Sequence, residues 1–137
     1  MPNTEDTIQR LNRHVASLLD LEERANEAKH HCELPLFDQI ADEAVSWQGT
    51  ILQRVLDLLD GGADLPPLID SRRSYLDPMP SGIAGVEAHL GAIRKALTTI
   101  GERTLLDMDL KDPNTTFVLA QVSRGASQVL QDVEKVR

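Results

Sequence analysis

The stretch KHHCELPLFDQIADE, residues 29–43, sets His30, His31, Cys32, Asp38, Asp42 and Glu43 close together in the chain. Imidazoles and carboxylates at this density are the donors that iron and other divalent cations take. Their use depends on where the surrounding helices aim them. On a helix beginning near Pro35, Phe37, Ile40, Ala41 and Ala44 share a face, Asp42 and Glu43 point away from it, and Asp38 sits on its edge. That pattern reads as a solvated helix face, and such acids reach a cation where subunits meet. An iron site built on HHCE would need His14 and His89 as further ligands, and the His–Glu spacing does not recur.

The preceding helix raises a second question. Its apolar stripe, Ile8, Leu11, Val15, Leu18 and Leu19, continues onto Glu22, Asn26, Lys29 and Glu33. Buried charges are costly unless paired. The expectation is therefore a Glu–Lys network, a cation site built from Glu22, Glu33 and His30, or a helix that breaks or overhangs near residue 22 or faces a neighbouring subunit there. Gln48, near the centre of the second helix's inner face, stands ready to join any of these. Cys32 is the only cysteine, which rules out a disulfide within the chain and any zinc site made of several cysteines. Beside acidic Glu33 its thiol is not activated, and it reads as an inert, partly buried residue. Trp47 falls at the edge of the second helix's apolar arc, a packing position. Gly61-Gly62 lacks the following Lys-Ser/Thr of a phosphate loop.

The chain has 137 residues, enough for one domain, residues 1–137, with its own core. Hydrophobic residues make up 41% but aromatics only 3%, so the core must come from Leu, Val, Ile and Ala, which favours helices. A net charge of −8 and no basic tail make direct nucleic-acid binding an expected absence. The polar, acidic start MPNTEDTIQRLNR is unlike a targeting signal, and no apolar run spans a membrane, so a cytoplasmic location is expected.

Four helices follow from the periodicity. The first runs over about 5–31, and the second from Pro35 to Asp60, ended by Gly61-Gly62. The second carries Phe37, Ile40, Ala41, Ala44, Ile51, Leu52, Val55 and Leu59 on one face. The third starts near Ser81 with Ile83, Val86, Leu90, Ile93, Leu97 and Ile100. The fourth opens on Asp112-Pro113, with Val118, Val122, Val129 and Val133 as its inner seam. Between the second and third, residues 61–80 are rich in proline, and a link of this length fits a crossover along the bundle. Tyr75, Leu76 and Met79 in that link read as exposed apolar residues that a neighbouring subunit would cover. The fold class is all-α, a ferritin-like four-helix bundle with a long crossover between helices 2 and 3.

LFDQIADE (36–43), LQRVLDLLDGGADLPP (52–67) and KDPNTTFVLAQVSRG (111–125) resemble, in order, segments of the Dps-type mini-ferritins. The resemblance covers residues from about 30 to 137. It implies a cytoplasmic subunit of a hollow homo-oligomeric shell such as a dodecamer, with iron as cofactor or cargo, and a role in storage or stress protection. The ligand positions of that family depart from the pattern. Asp38 matches its first aspartate, but the histidine before it falls on Leu34, the Asp–Glu pair on Gly49 and Gln53, and the first-helix histidine on Glu22. Asp38, His31, His30, Glu22 and Asp42 are the candidate metal ligands left, and the family's iron oxidation is not expected to carry over. The alternative is a non-metal ferritin-like bundle kept as an oligomeric interaction protein.

Overall fold

The computed structural model describes residues 4–60, 74–78, 85–108 and 112–136. Four helices carry the fold: α1 (Thr4–His31), α2 (Pro35–Asp60), α3 (Val86–Asp107) and α4 (Pro113–Glu134). The described residues contain no strand. Pro35 opens α2 at a position where its missing N–H costs nothing. Asp112 caps α4 by accepting the Asn114 and Thr115 N–H groups, with Pro113 in the first turn. Both starts lie where the sequence puts them.

The beginning of α3 does not. Gly85, at φ +86°, precedes Val86 in a conformation that L side chains rarely adopt, so the helix is not continuous from Ser81 through this point. Residues 81–84, with Ile83, lie outside the described residues, and Val86 is exposed rather than part of the inner stripe.

α1 packs against α2 and α3, and α4 against the same two; α2 and α3 stand diagonally, as do α1 and α4. Polar contacts fix the directions. His14, in the first half of α1, meets Asp107 at the end of α3, while His31 at the end of α1 stacks on His89 near the start of α3. Gln39 and Arg54 of α2 reach Asp132 and Asp112 at opposite ends of α4. Neighbouring helices therefore run antiparallel.

Between them lies an aliphatic core. Ile8, Leu11, Leu18 and Leu21 of α1 meet Phe37, Ile40 and Ile51 of α2, Ile93 and Leu97 of α3, and Leu119 and Val122 of α4. Each such side chain contributes about 1.5–3 kcal/mol by leaving water. Leu52, Leu59 and Val118, expected inside, are half-buried at the margin.

The inner face of α1 turns out differently from the expected one. Past Leu18 it is Leu21, Arg24, Ala25 and Ala28 that are buried, while Asn26, Lys29 and Glu33 are exposed and Glu22 is half-buried. A heptad-like stripe drifts around a straight helix by about 20° every seven residues, so extending it along one line leads onto the solvent side.

Of the expected connection over 61–80, Ser74–Pro78 are described, and they lie against α1: the Tyr75 N–H donates to Ser17 Oγ at 2.8 Å, and Arg24 donates to the Asp77 carbonyl. Leu76 is buried in the chain's own core and Tyr75 is half-buried, so neither is the exposed apolar residue expected from the sequence. Met79 lies outside the described residues. No described helix is long and apolar enough to cross a membrane.

One close approach can be tested directly. A Cβ on Gly125 of α4 would stand 2.7–2.9 Å from the indole of Trp47, which is itself buried. Gly125→Val forces that ring to move, and overpacking of this kind costs about 1–3 kcal/mol. Chemical denaturation followed by Trp47 emission should show that loss together with an altered native spectrum. An unchanged midpoint and spectrum would mean that the two helices do not meet there.

Candidate functional site

The expected ligands are distributed rather than gathered. Asp38 forms an ion pair with Lys29 at 2.6 Å, and both side chains are largely exposed. The hydrogen bond and charge of Asp38 raise the Lys29 ammonium above its ordinary range, with a smaller contribution from Asp42. Asp42 and His30 are exposed. His31 Nε2 lies 3.2 Å from Glu27 Oε1, one turn back on the same helix. Glu22 Oε1 accepts a hydrogen bond from Gln48 Nε2 at 2.9 Å, so these two inward-leaning polar groups satisfy each other across α1 and α2. Cys32 is a half-buried free thiol against the core margin. Among the described residues no three His, Cys, Asp or Glu side chains converge.

Nor do the donors fit the iron site that the resemblance implies. At its Asp–Glu positions stand Gly49, without a side chain, and Gln53, whose amide donates to Asp57 at 3.2 Å. Asp38 is already occupied by a lysine.

A buried polar cluster that the sequence did not reveal gathers at the end of α3. At the end of α3, Asp107 Oδ2 lies 2.5 Å from His14 Nε2, and Oδ1 receives Arg10 at 3.4 Å. The Tyr75 hydroxyl approaches the same carboxylate at 3.4 Å. Two guanidiniums face the Tyr75 ring, Arg13 at 4.1 Å and Arg103 at 5.0 Å from its centroid, an attractive cation–π geometry. Burial alone would raise the Asp107 carboxyl, but the His14 hydrogen bond and charge, Arg10 and Tyr75 outweigh it and hold the group below its ordinary value. Tyr75 is pushed up by burial and then by the Asp107 charge, against the opposing arginines, so it keeps its proton to donate.

A carboxylate that orients an imidazole is the core of many acid–base sites. Here, however, the carboxylate holds the His14 ring through Nε2, and the ring is 3% exposed beneath Tyr75. The geometry suits a lock better than a reaction: it ties α1, α3 and the Ser74–Pro78 segment to one point. His14 stands beside Leu11, Val15 and Leu18 in the apolar stripe, which is the only hint of it in the sequence.

A similar lock closes the opposite helix pair. Arg54 Nη2 donates to Asp112 Oδ2 at 2.7 Å and Arg54 Nε to Thr115 Oγ1 at 3.0 Å, so the α4 cap is also the α2 anchor. Burial raises the Asp112 carboxyl, and the bonds from Arg54 and Thr115 more than offset that, leaving it lowered. Beside this lock a groove of about 760 Å³ runs between α2 and α4, past Gly49, Thr50, Gln53 and Phe117. At the other end, His89 is buried with neither ring nitrogen bonded among the described residues, its ring stacked on His31 at 5.6 Å.

No protein-family model matches the sequence, and no curated protein matches it significantly.

The two lowered carboxyls give stability a defined pH dependence. A group lowered on folding stabilises above its unfolded value, about 3.9 for aspartate, and loses that contribution as pH falls through the still lower folded value. Stability should therefore decline on acidification below roughly pH 5. Asp107→Asn should cost about 1.5–3 kcal/mol at neutral pH, the range for hydrogen bonds to charged groups, and flatten the acid limb. Urea titrations at several pH values check both effects. A variant with the wild-type acid limb would show that Asp107 is not held as described.

Proposed function

We propose that this chain is a ferritin-like four-helix subunit that works as an oligomeric interaction protein, associating with copies of itself. The helix order supports the ferritin-like part. With every neighbouring pair antiparallel, α2 ends and α3 begins at opposite ends of the bundle, which calls for one lengthwise crossover. Ser74–Pro78 fits such a path, since it passes α1 from Ser17 to Arg24.

The observation that carries the assembly reading is the apolar surface left outside a filled core. Val45, Leu56, Leu105, Leu106 and Phe117 are each 50–60% exposed, although the chain has few large apolar residues to spare. They fall in two places, Val45, Leu56 and Phe117 on the neighbouring α2 and α4 and Leu105–Leu106 on α3, and large apolar side chains brought together on a surface mark contact sites. The candidate ligands are paired with Lys29, Glu27 and Gln48, which favours a contact role over iron handling.

Light scattering at micromolar concentration should give a mass that is a multiple of the 15.1 kDa chain. A mass of one chain would overturn the proposal. Elemental analysis of the same sample separates it from the Dps-like alternative, a shell that sequesters iron or other cations. Iron bound in proportion to chains, and lost in Asp38→Ala, would favour that alternative.

A further inference from the structure

We infer that Arg10, Arg13 and Arg103 form an anion site for a single phosphate group, free or carried by a small molecule, with the Tyr75 ring as its platform. The site joins α1, α3 and the Ser74–Pro78 segment, so it stands whether or not the chain assembles. Arg13 lies 4.1 Å and Arg103 5.0 Å from the Tyr75 ring centroid. Arg10 reaches Asp107, the carboxylate that the Tyr75 hydroxyl also approaches. All three arginines are exposed, on a chain whose net charge is −8. Like charges gathered in this way repel one another unless an anion lies among them.

The chain's own anion covers only part of this charge. Asp107 gives Oδ1 to Arg10, while His14 and the Tyr75 hydroxyl take Oδ2. Among the described residues Arg103 has no carboxylate or hydrogen-bond acceptor, and its partner is the ring. A cation–π contact leaves most of the five guanidinium N–H donors unused, in the fork that matches phosphate oxygens. The platform itself is held: the Tyr75 N–H donates to Ser17 Oγ at 2.8 Å, and the next residue, Leu76, is buried in the core. The arginines are thus steadied before a ligand arrives, which lowers the ordering cost of binding. Size and charge select the occupant. Cations centred on one ring suit a compact anion, whereas a nucleic acid would lie across the acidic remainder of the surface and be repelled. A carboxylate brings one charge and two oxygens; a phosphate monoester brings about two charges and three acceptor oxygens.

The test is a nuclear magnetic resonance titration of the full chain with inorganic phosphate at constant low ionic strength, read at the arginine Nε–H signals. The Arg103 signal should move and saturate, that of Arg124, exposed on α4, should not, and added sodium chloride should weaken the binding. Arg103→Ala should weaken binding about tenfold or more, followed at the Arg10 and Arg13 signals. Arg103→Lys should recover only part of it, because lysine lacks the two-pronged donor. Arg124→Ala removes the same charge elsewhere and should leave binding as it was. Glycerol phosphate separates the two sources: if it displaces inorganic phosphate a monoester enters the site, and if it does not the site takes free phosphate. The wild-type titration stands even where a variant fails to fold. No saturable shift at Arg103, an equal shift at Arg124, or an equal loss in Arg124→Ala overturns the site. Duplex DNA bound more tightly than phosphate overturns it too, and assigns the arginines to a polyanion.

Discussion

A core built almost wholly from Leu, Ile, Val and Ala has to be closed by bringing its helices near one another, because few large rings are there to fill gaps. Phe37 and Trp47 are the only aromatic side chains in the buried cluster. The small residues accordingly fall where helices face: Ala25 and Ala28 on α1, Ala44 on α2, Ala96 on α3 and Ala126 on α4 are all buried. Gly125 takes this furthest, since its missing side chain is what lets the Trp47 indole lie against α4. Interiors pack at crystal-like density, so such a core tolerates little change in volume at its contacts.

Apolar packing of this kind sets distance but leaves rotation and sliding weakly determined, and the polar locks supply what it lacks. His14–Asp107 fixes the register of α1 against α3, and Arg54–Asp112–Thr115 that of α2 against α4. Each is placed near a helix end, where an error in the crossing angle would be largest. Each also recruits a connection: Tyr75 from the segment before α3 in one case, the α4 cap in the other. Removing one member of such a buried pair strands its partner, which is why these groups discriminate against misregistered packings more than they add to total stability.

Much of this architecture was legible in the sequence. Pro35, Asp112-Pro113 and the aliphatic stripes announced α2 and α4 and most of the core, because caps and periodicity are local properties. The polar locks were not legible, for a physical reason. His14 and Asp107 are 93 residues apart, and no local pattern encodes which ends of which helices will meet. Leu76 read as a loop residue awaiting a neighbour because nothing local says that its segment folds back over α1. The candidate ligands are a different case. Residue types in 29–43 do match a cation's preferences, but lysine and glutamate one turn or one helix away are equally suitable partners and are nearer.

Net charge bears on how such a bundle could associate at all. At −8 per chain, two copies repel at long range, so any contact must hold by short-range apolar fit and must keep carboxylates out of its centre. The surface of α2 has this arrangement: acids toward both ends, apolar and amide side chains between. Three arginines are paired within the chain, Arg10 with Asp107, Arg24 with Asp20 and Arg54 with Asp112. Each of these pairings neutralises one carboxylate with one guanidinium, so the net charge that opposes association is left unchanged. Association is then favoured where acids are few, while the paired arginines serve to fix the helices in register.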